Sequence, residues 1–131
     1  MHITTRSLLA VRTLLTCAAE PGRQFRKHEI AALLDASENH LAQVVHQLGR
    51  KGFLATQRGR SGGLRLARPP AEITIGDVLR DFEQCLPLVA DCNGPLALTF
   101  TSAEDAFYRQ LDGVTLASLA TRAEPMRLAA E

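Results

Sequence analysis

The stretch from Asp35 to Gly63 constrains this chain most, because a helical period, an alternating period and a glycine-rich reversal succeed one another there. Leu41, Val44, Val45 and Leu48 fall at i, i+3, i+4 and i+7, one buried face at 3.6 residues per turn. Ser37 stands where an N-cap belongs, its hydroxyl free to accept a backbone N–H. Gly52, just past Arg50-Lys51, is a stop signal. Opposite the valines stand Asn39, Gln43, His46 and Arg50, with His40 and Gln47 beside them. Asn and Gln can pair with an adenine edge, and Arg with a guanine edge. For an isolated helix, an ordinary solvated face is the alternative.

The residues beyond Gly52 favour the base-reading face. Phe53 to Arg58 reads as a strand, and Leu64-Arg65-Leu66 alternates as a returning strand should. Gly59, Gly62 and Gly63 allow a tight reversal between them. Arg58, Arg60 and Ser61 are thereby carried to an exposed tip, and arginine on a slender hairpin suits a narrow, negative minor groove. Upstream, Ile30, Leu33 and Leu34 are spaced to pack on the capped helix, with Arg26, Lys27 and His28 at the start of their own. A helix dipole disfavours cations at that end, so a phosphate backbone is their expected partner. A helix pair followed by a basic hairpin is the layout of a winged helix-turn-helix. The expected fold is mainly α with a small β-hairpin wing.

Charge supports an oriented molecule. The net charge of +1 conceals a division. Residues 26–68 hold eight Lys/Arg against three Asp/Glu, whereas residues 69–131 hold four against ten. A basic front presents itself to a polyanion, and the acidic back does not. At 131 residues the chain has the length of one domain. Three cysteines, an odd count, fit a reducing cytoplasm rather than a disulfide framework. The opening residues lack a secretory pattern, and no apolar run is long enough to span a bilayer. The expected location is cytoplasmic, away from membranes.

The remaining pattern divides the chain into 1–83, a DNA-binding winged unit; 84–100, a sensor-like loop; and 101–131, a dimerisation helix and tail. The first helix spans 5–19, with Leu8, Val11, Leu15 and Ala18 on one stripe and Leu9 and Leu14 widening it. Thr74 to Glu83 forms another, with Ile75, Val78, Leu79 and Phe82 apolar. Pro87, Gly94 and Pro95 interrupt 84–100. Thr101 and Glu104 match a capping box. The helix they open carries Phe107 and Leu111 at i, i+4, the expected anchors of a homodimer, and Thr115 caps a last short helix. Packing back onto the first helix is the other use of this end, and both can hold. A two-fold dimer matches a palindromic operator in double-stranded DNA.

The chain resembles the bacterial winged-helix regulators of the IscR and NsrR type, most of all the nitric-oxide-sensitive NsrR repressors. Ser37-Glu38-Asn39-His40-Leu41, Gly52-Phe53, Arg58 to Leu66, Ile73 to Arg80 and Leu111 to Leu119 carry the resemblance. It implies a DNA-binding homodimer joined by a long C-terminal helix, with a recognition helix in the major groove and a wing in the minor groove. It also implies an iron–sulfur cluster on three cysteines of the loop, with a further ligand near the N-terminus. Cys92 matches the first of these cysteines, but none comes after it, and the N-terminal ligand position is Leu8. Such clusters take four protein ligands. No cofactor is therefore expected; Cys85 and Cys92, contributed by both protomers to one shared cluster, are the alternative.

An enzyme is not expected. The glycines lie between two strands rather than between strand and helix, which does not make a phosphate cradle, and no nucleophile–base set is visible. These features read as a dimeric transcriptional repressor with a degenerate sensor. The rival is a protein-binding adaptor that kept the winged fold without a DNA role.

Overall fold

The fifteen residues from Thr5 to Ala19 are apolar or small on nearly every side, and they become the central helix, α1. A computed structural model describes residues 3–60, 62–83 and 93–120. Around α1 lie α2 (Lys27–Leu34), α3 (Glu38–Arg50), strands β1 (Leu54–Gln57) and β2 (Gly63–Leu66), α4 (Ile75–Phe82), α5 (Gly94–Asp112) and α6 (Leu116–Ala120). The Thr4 hydroxyl accepts from the Ser7 N–H at 3.2 Å to cap α1. Thr13, fully buried, donates its hydroxyl to the Leu9 carbonyl at 2.8 Å, so its donor is not stranded in the core.

Elements α2, α3, α4, α6 and β2 all pack on α1. Only a narrow line through Thr5, Leu8, Arg12 and Thr16, with Arg6 and Ala19 at the two ends of the helix, remains less buried. This corrects the expectation for Leu8, which is 43% exposed rather than part of the buried stripe. Leu33 needs the same correction. α2 buries Ile30, Ala31 and Leu34, and Leu33, about a third of a turn away from them, is 63% exposed.

The turn between α2 and α3 passes through Asp35, whose φ of 51° is left-handed. α3 then behaves as its pattern requires. Leu41, Val44, Val45 and Leu48 are all buried, and the Ser37 hydroxyl accepts from the His40 N–H at 3.1 Å. Gly52, at φ 81°, ends it. β1 and β2 pair antiparallel from Leu54↔Leu66 to Gln57↔Gly63.

A further bridge joins Phe25 to Leu64, with N–H···O distances of 3.0 and 2.7 Å. One residue from the α1–α2 connection thus serves as a third strand, and its ring is buried in the core.

The C-terminal helices begin earlier than expected. α5 starts at Gly94, so residues 94–100 are helical, and Thr101 is an exposed mid-helix residue rather than a cap. Pro95 explains the difference: it sits in the first turn, where its missing N–H costs nothing and its fixed φ favours the helix. The chain then folds back on the winged unit. Ile75 donates its N–H to the Val114 carbonyl and Leu116 to that of Ile73, both at 2.9 Å. Arg80 grips the Asp112 carboxylate with both terminal nitrogens, at 2.5 and 2.7 Å. Thr115 caps α6 by accepting from the Ser118 N–H at 3.1 Å, and Leu116 is fully buried. Among the described residues, no helix is long and apolar enough to cross a membrane.

Candidate nucleic-acid interface

The exposed side of α3 and the wing bound one open groove of about 800 Å³. Its α3 wall includes His46 and Arg50, and its wing wall includes Thr56, Gln57 and Arg58. Asn39, Gln43, His46 and Arg50 are all exposed, while His40 and Gln47 are half-buried at the flanks. This is the separation of faces that the spacing of α3 requires. Gln47 is not free to meet a ligand, since it donates to the Asp81 carbonyl at 3.1 Å and accepts from Arg6. It ties α3 to α4 and α1.

Lys27 and His28 are exposed in the first turn of α2, and with Arg26, Glu38 and Asn39 they line a shallow depression. The fold therefore brings two of the expected phosphate contacts beside the first expected base contact. Ser37 is exposed next to them, its hydroxyl engaged as the cap of α3. Glu29 makes the cluster less cationic than the sequence implied. Its carboxylate accepts from the Arg26 N–H at 3.1 Å and from the Arg23 guanidinium at 2.7 Å. These bonds hold it below the ordinary carboxylate range and therefore ionised.

At the wing, Arg58 and Arg60 are exposed, and Gly59 takes a φ of 105° that lets the tip reverse. Ser61 lies outside the described residues. Its position in the sequence groups Arg26 with the phosphate contacts, but its guanidinium donates to the carbonyls of Gly59 (3.0 Å) and Arg60. No periodicity could reveal that bond.

The expected dimer anchors occupy an intermediate position. Phe107 and Leu111 are half-buried and pack partly on their own core, and Phe107 meets Tyr108 edge-on at 5.3 Å between centroids. The large apolar side chains that α5 leaves open lie nearer its start: Leu96 (57% exposed), Leu98 (71%) and Phe100 (39%).

The described residues do not fit the iron–sulfur cluster that the resemblance implies. Leu8 offers no donor atom. Cys17 is enclosed in α1, and burial pushes its thiol up to about 12, leaving it protonated at neutral pH and unfit as a thiolate ligand. No group of three His, Cys, Asp or Glu side chains converges among the described residues. Cys85 and Cys92 lie outside them. The burial of Cys17 is measurable. In a Cys85→Ser/Cys92→Ser variant the remaining thiol should resist a disulfide reagent at about pH 8 until the protein is unfolded. Rapid labelling without denaturant would show that Cys17 is not enclosed.

Comparison with known proteins places this geometry. The model of the Rrf2 family, an iron-dependent transcriptional regulator, matches residues 3–122. The chain is 39% identical to the HTH-type transcriptional regulator NsrR of Geobacillus kaustophilus (strain HTA426), over 91% of this chain and 89% of that one. Among solved structures it is similar to CymR, the global cysteine regulator of B. subtilis, with 26% identity and a TM-score of 0.82. That match covers 95% of this chain and 99% of CymR. It is also similar to IscR of T. potens, at 25% identity and a TM-score of 0.82, over 98% of this chain and 93% of that one. With the winged fold, the groove beside α3 and a family match over nearly its whole length, the chain belongs to the Rrf2 family of transcriptional regulators.

Proposed function

We propose that this regulator represses transcription as a homodimer, each protomer setting α3 into the major groove and its wing into the adjacent minor groove of a two-fold operator. The observation that supports this most is the shared groove: His46 and Arg50, from the exposed polar face of α3, and the arginine-bearing wing line its two walls. Asn39, Gln43 and Arg50 read base edges; Lys27 and His28 hold phosphates; Arg58 and Arg60 enter the minor groove. The protein does this without an iron–sulfur cluster, and without catalysing a reaction.

Titration of operator binding against salt tests the reading. Each neutralised phosphate releases counterions, so about six contacts give a slope of log K against log salt of roughly −5. Asn39→Ala or Gln43→Ala should relax base preference at one position, costing on the order of 1–3 kcal/mol if the contact is bidentate. Arg60→Ala should weaken binding chiefly at sites with a narrow A·T-rich minor groove. A slope near zero, with no mobility shift, would return the chain to the adaptor reading. Iron and acid-labile sulfide assays on anaerobically purified protein test the cofactor claim, which stoichiometric iron lost in Cys92→Ala would overturn.

A further inference from the structure

We infer that Arg26 is a positioning residue for the wing, setting the distance between the minor-groove arginines and the recognition helix rather than holding a phosphate. Three consecutive residues of the α1–α2 connection grip three different parts of the hairpin. Gln24 donates its side-chain amide to that of Gln57 at 3.3 Å, at the end of β1. Phe25 exchanges backbone hydrogen bonds with Leu64 in β2. Arg26 reaches past both strands to the tip, where its two terminal nitrogens meet the carbonyls of Gly59 and Arg60.

The Gly59 carbonyl also accepts the Gly62 N–H at 3.1 Å, so the guanidinium braces the reversal itself. Arg26 is at the same time the N-cap residue of α2, anchored there by its own N–H to Glu29. A two-stranded hairpin of four-residue strands has little rigidity of its own. The brace therefore fixes the tip to the helix pair that carries α3. A planar fork can hold two carbonyls at once, which a lysine ammonium on a flexible stem cannot reproduce.

The inference rests on the DNA-binding reading, and the test separates the two. Arg26→Ala and Arg26→Lys are compared with the unaltered protein for base preference, preference for A·T-rich flanks, salt slope and amide exchange at Gly62. Both variants should lose the flank preference while keeping the base preference contributed by Asn39 and Gln43. Their salt slope should stay within about half a unit of the parent, whereas a lost phosphate contact would lower it by about one. Gly62 exchange should accelerate in both, with the global unfolding midpoint nearly unchanged. A slope reduced by about one and restored by Arg26→Lys would make Arg26 a phosphate contact and overturn the inference. Unaltered flank preference would overturn it equally. If the parent protein binds no DNA, the DNA-binding reading has failed, and Gly62 exchange alone judges the brace: acceleration upholds it and no change refutes it.

Discussion

A protein carrying Leu96→Glu and Phe100→Glu is expected to be monomeric, folded, and weaker on its operator by roughly 10²- to 10⁴-fold. The two side chains are four residues apart on α5, so they share a face, and both are exposed in the single chain. Replacing them therefore leaves the protomer's own core intact. In a dimer the same positions would be enclosed, and each carboxylate would be buried without a partner. Losing the second protomer removes the effective concentration that makes half-site binding bivalent, the source of the expected factor. Phe107→Asp is a less selective version of this experiment. Phe107 leans on Tyr108, and Arg80 stacks over that ring at 5.0 Å while holding Asp112, so the change would loosen the protomer as well. Sedimentation and mobility shift decide the matter. A double variant that stays dimeric with unaltered affinity would place the interface away from the start of α5.

Phe25→Ala should lower unfolding stability by about 3–5 kcal/mol, a large share of the roughly 5–15 kcal/mol available to a domain. The ring is 2% exposed, and the Arg23 guanidinium covers it at 4.3 Å. Truncation leaves a cavity that the backbone bridge to Leu64 prevents from collapsing. Phe25→Leu keeps most of the volume and should cost less than about 1.5 kcal/mol. Denaturant unfolding at fixed protomer concentration measures both, because a dimer's apparent stability depends on that concentration. A loss below about 1 kcal/mol for the alanine variant would mean that the ring is not a core residue.

These expectations divide by what a linear pattern can carry. α3 was legible because its apolar face, its cap and its stop all lie within sixteen consecutive residues, Ser37 to Gly52, and agree with one another. The wing was legible because glycine between short alternating runs has few other uses. Leu8 and Leu33 were misplaced for a different reason: periodicity identifies a face, but the arrangement of neighbouring elements decides how wide the buried arc is. Pro95 looked like a breaker because the same residue ends one helix and begins another, and Leu96 to Phe100 were consequently assigned to a loop. Phe25 and Arg26 left no trace in the pattern, since a one-residue strand has no period and a side chain reaching 34 positions along the chain has no local signature.

The closing of α6 onto α1 has a consequence for the order in which the molecule is made. Leu116 fills the core beside a helix that begins at Thr5, more than a hundred residues earlier. Contacts so distant along the chain carry a loop-closure penalty that is met only when both ends are present. A nascent chain still lacking Leu116 has its reading helix and wing but an unfilled interior. The winged half thus reaches full stability only after the segment containing α5 has been synthesised. The winged half and the helix proposed to pair the protomers are therefore completed together, because α5 precedes the residue that closes the core.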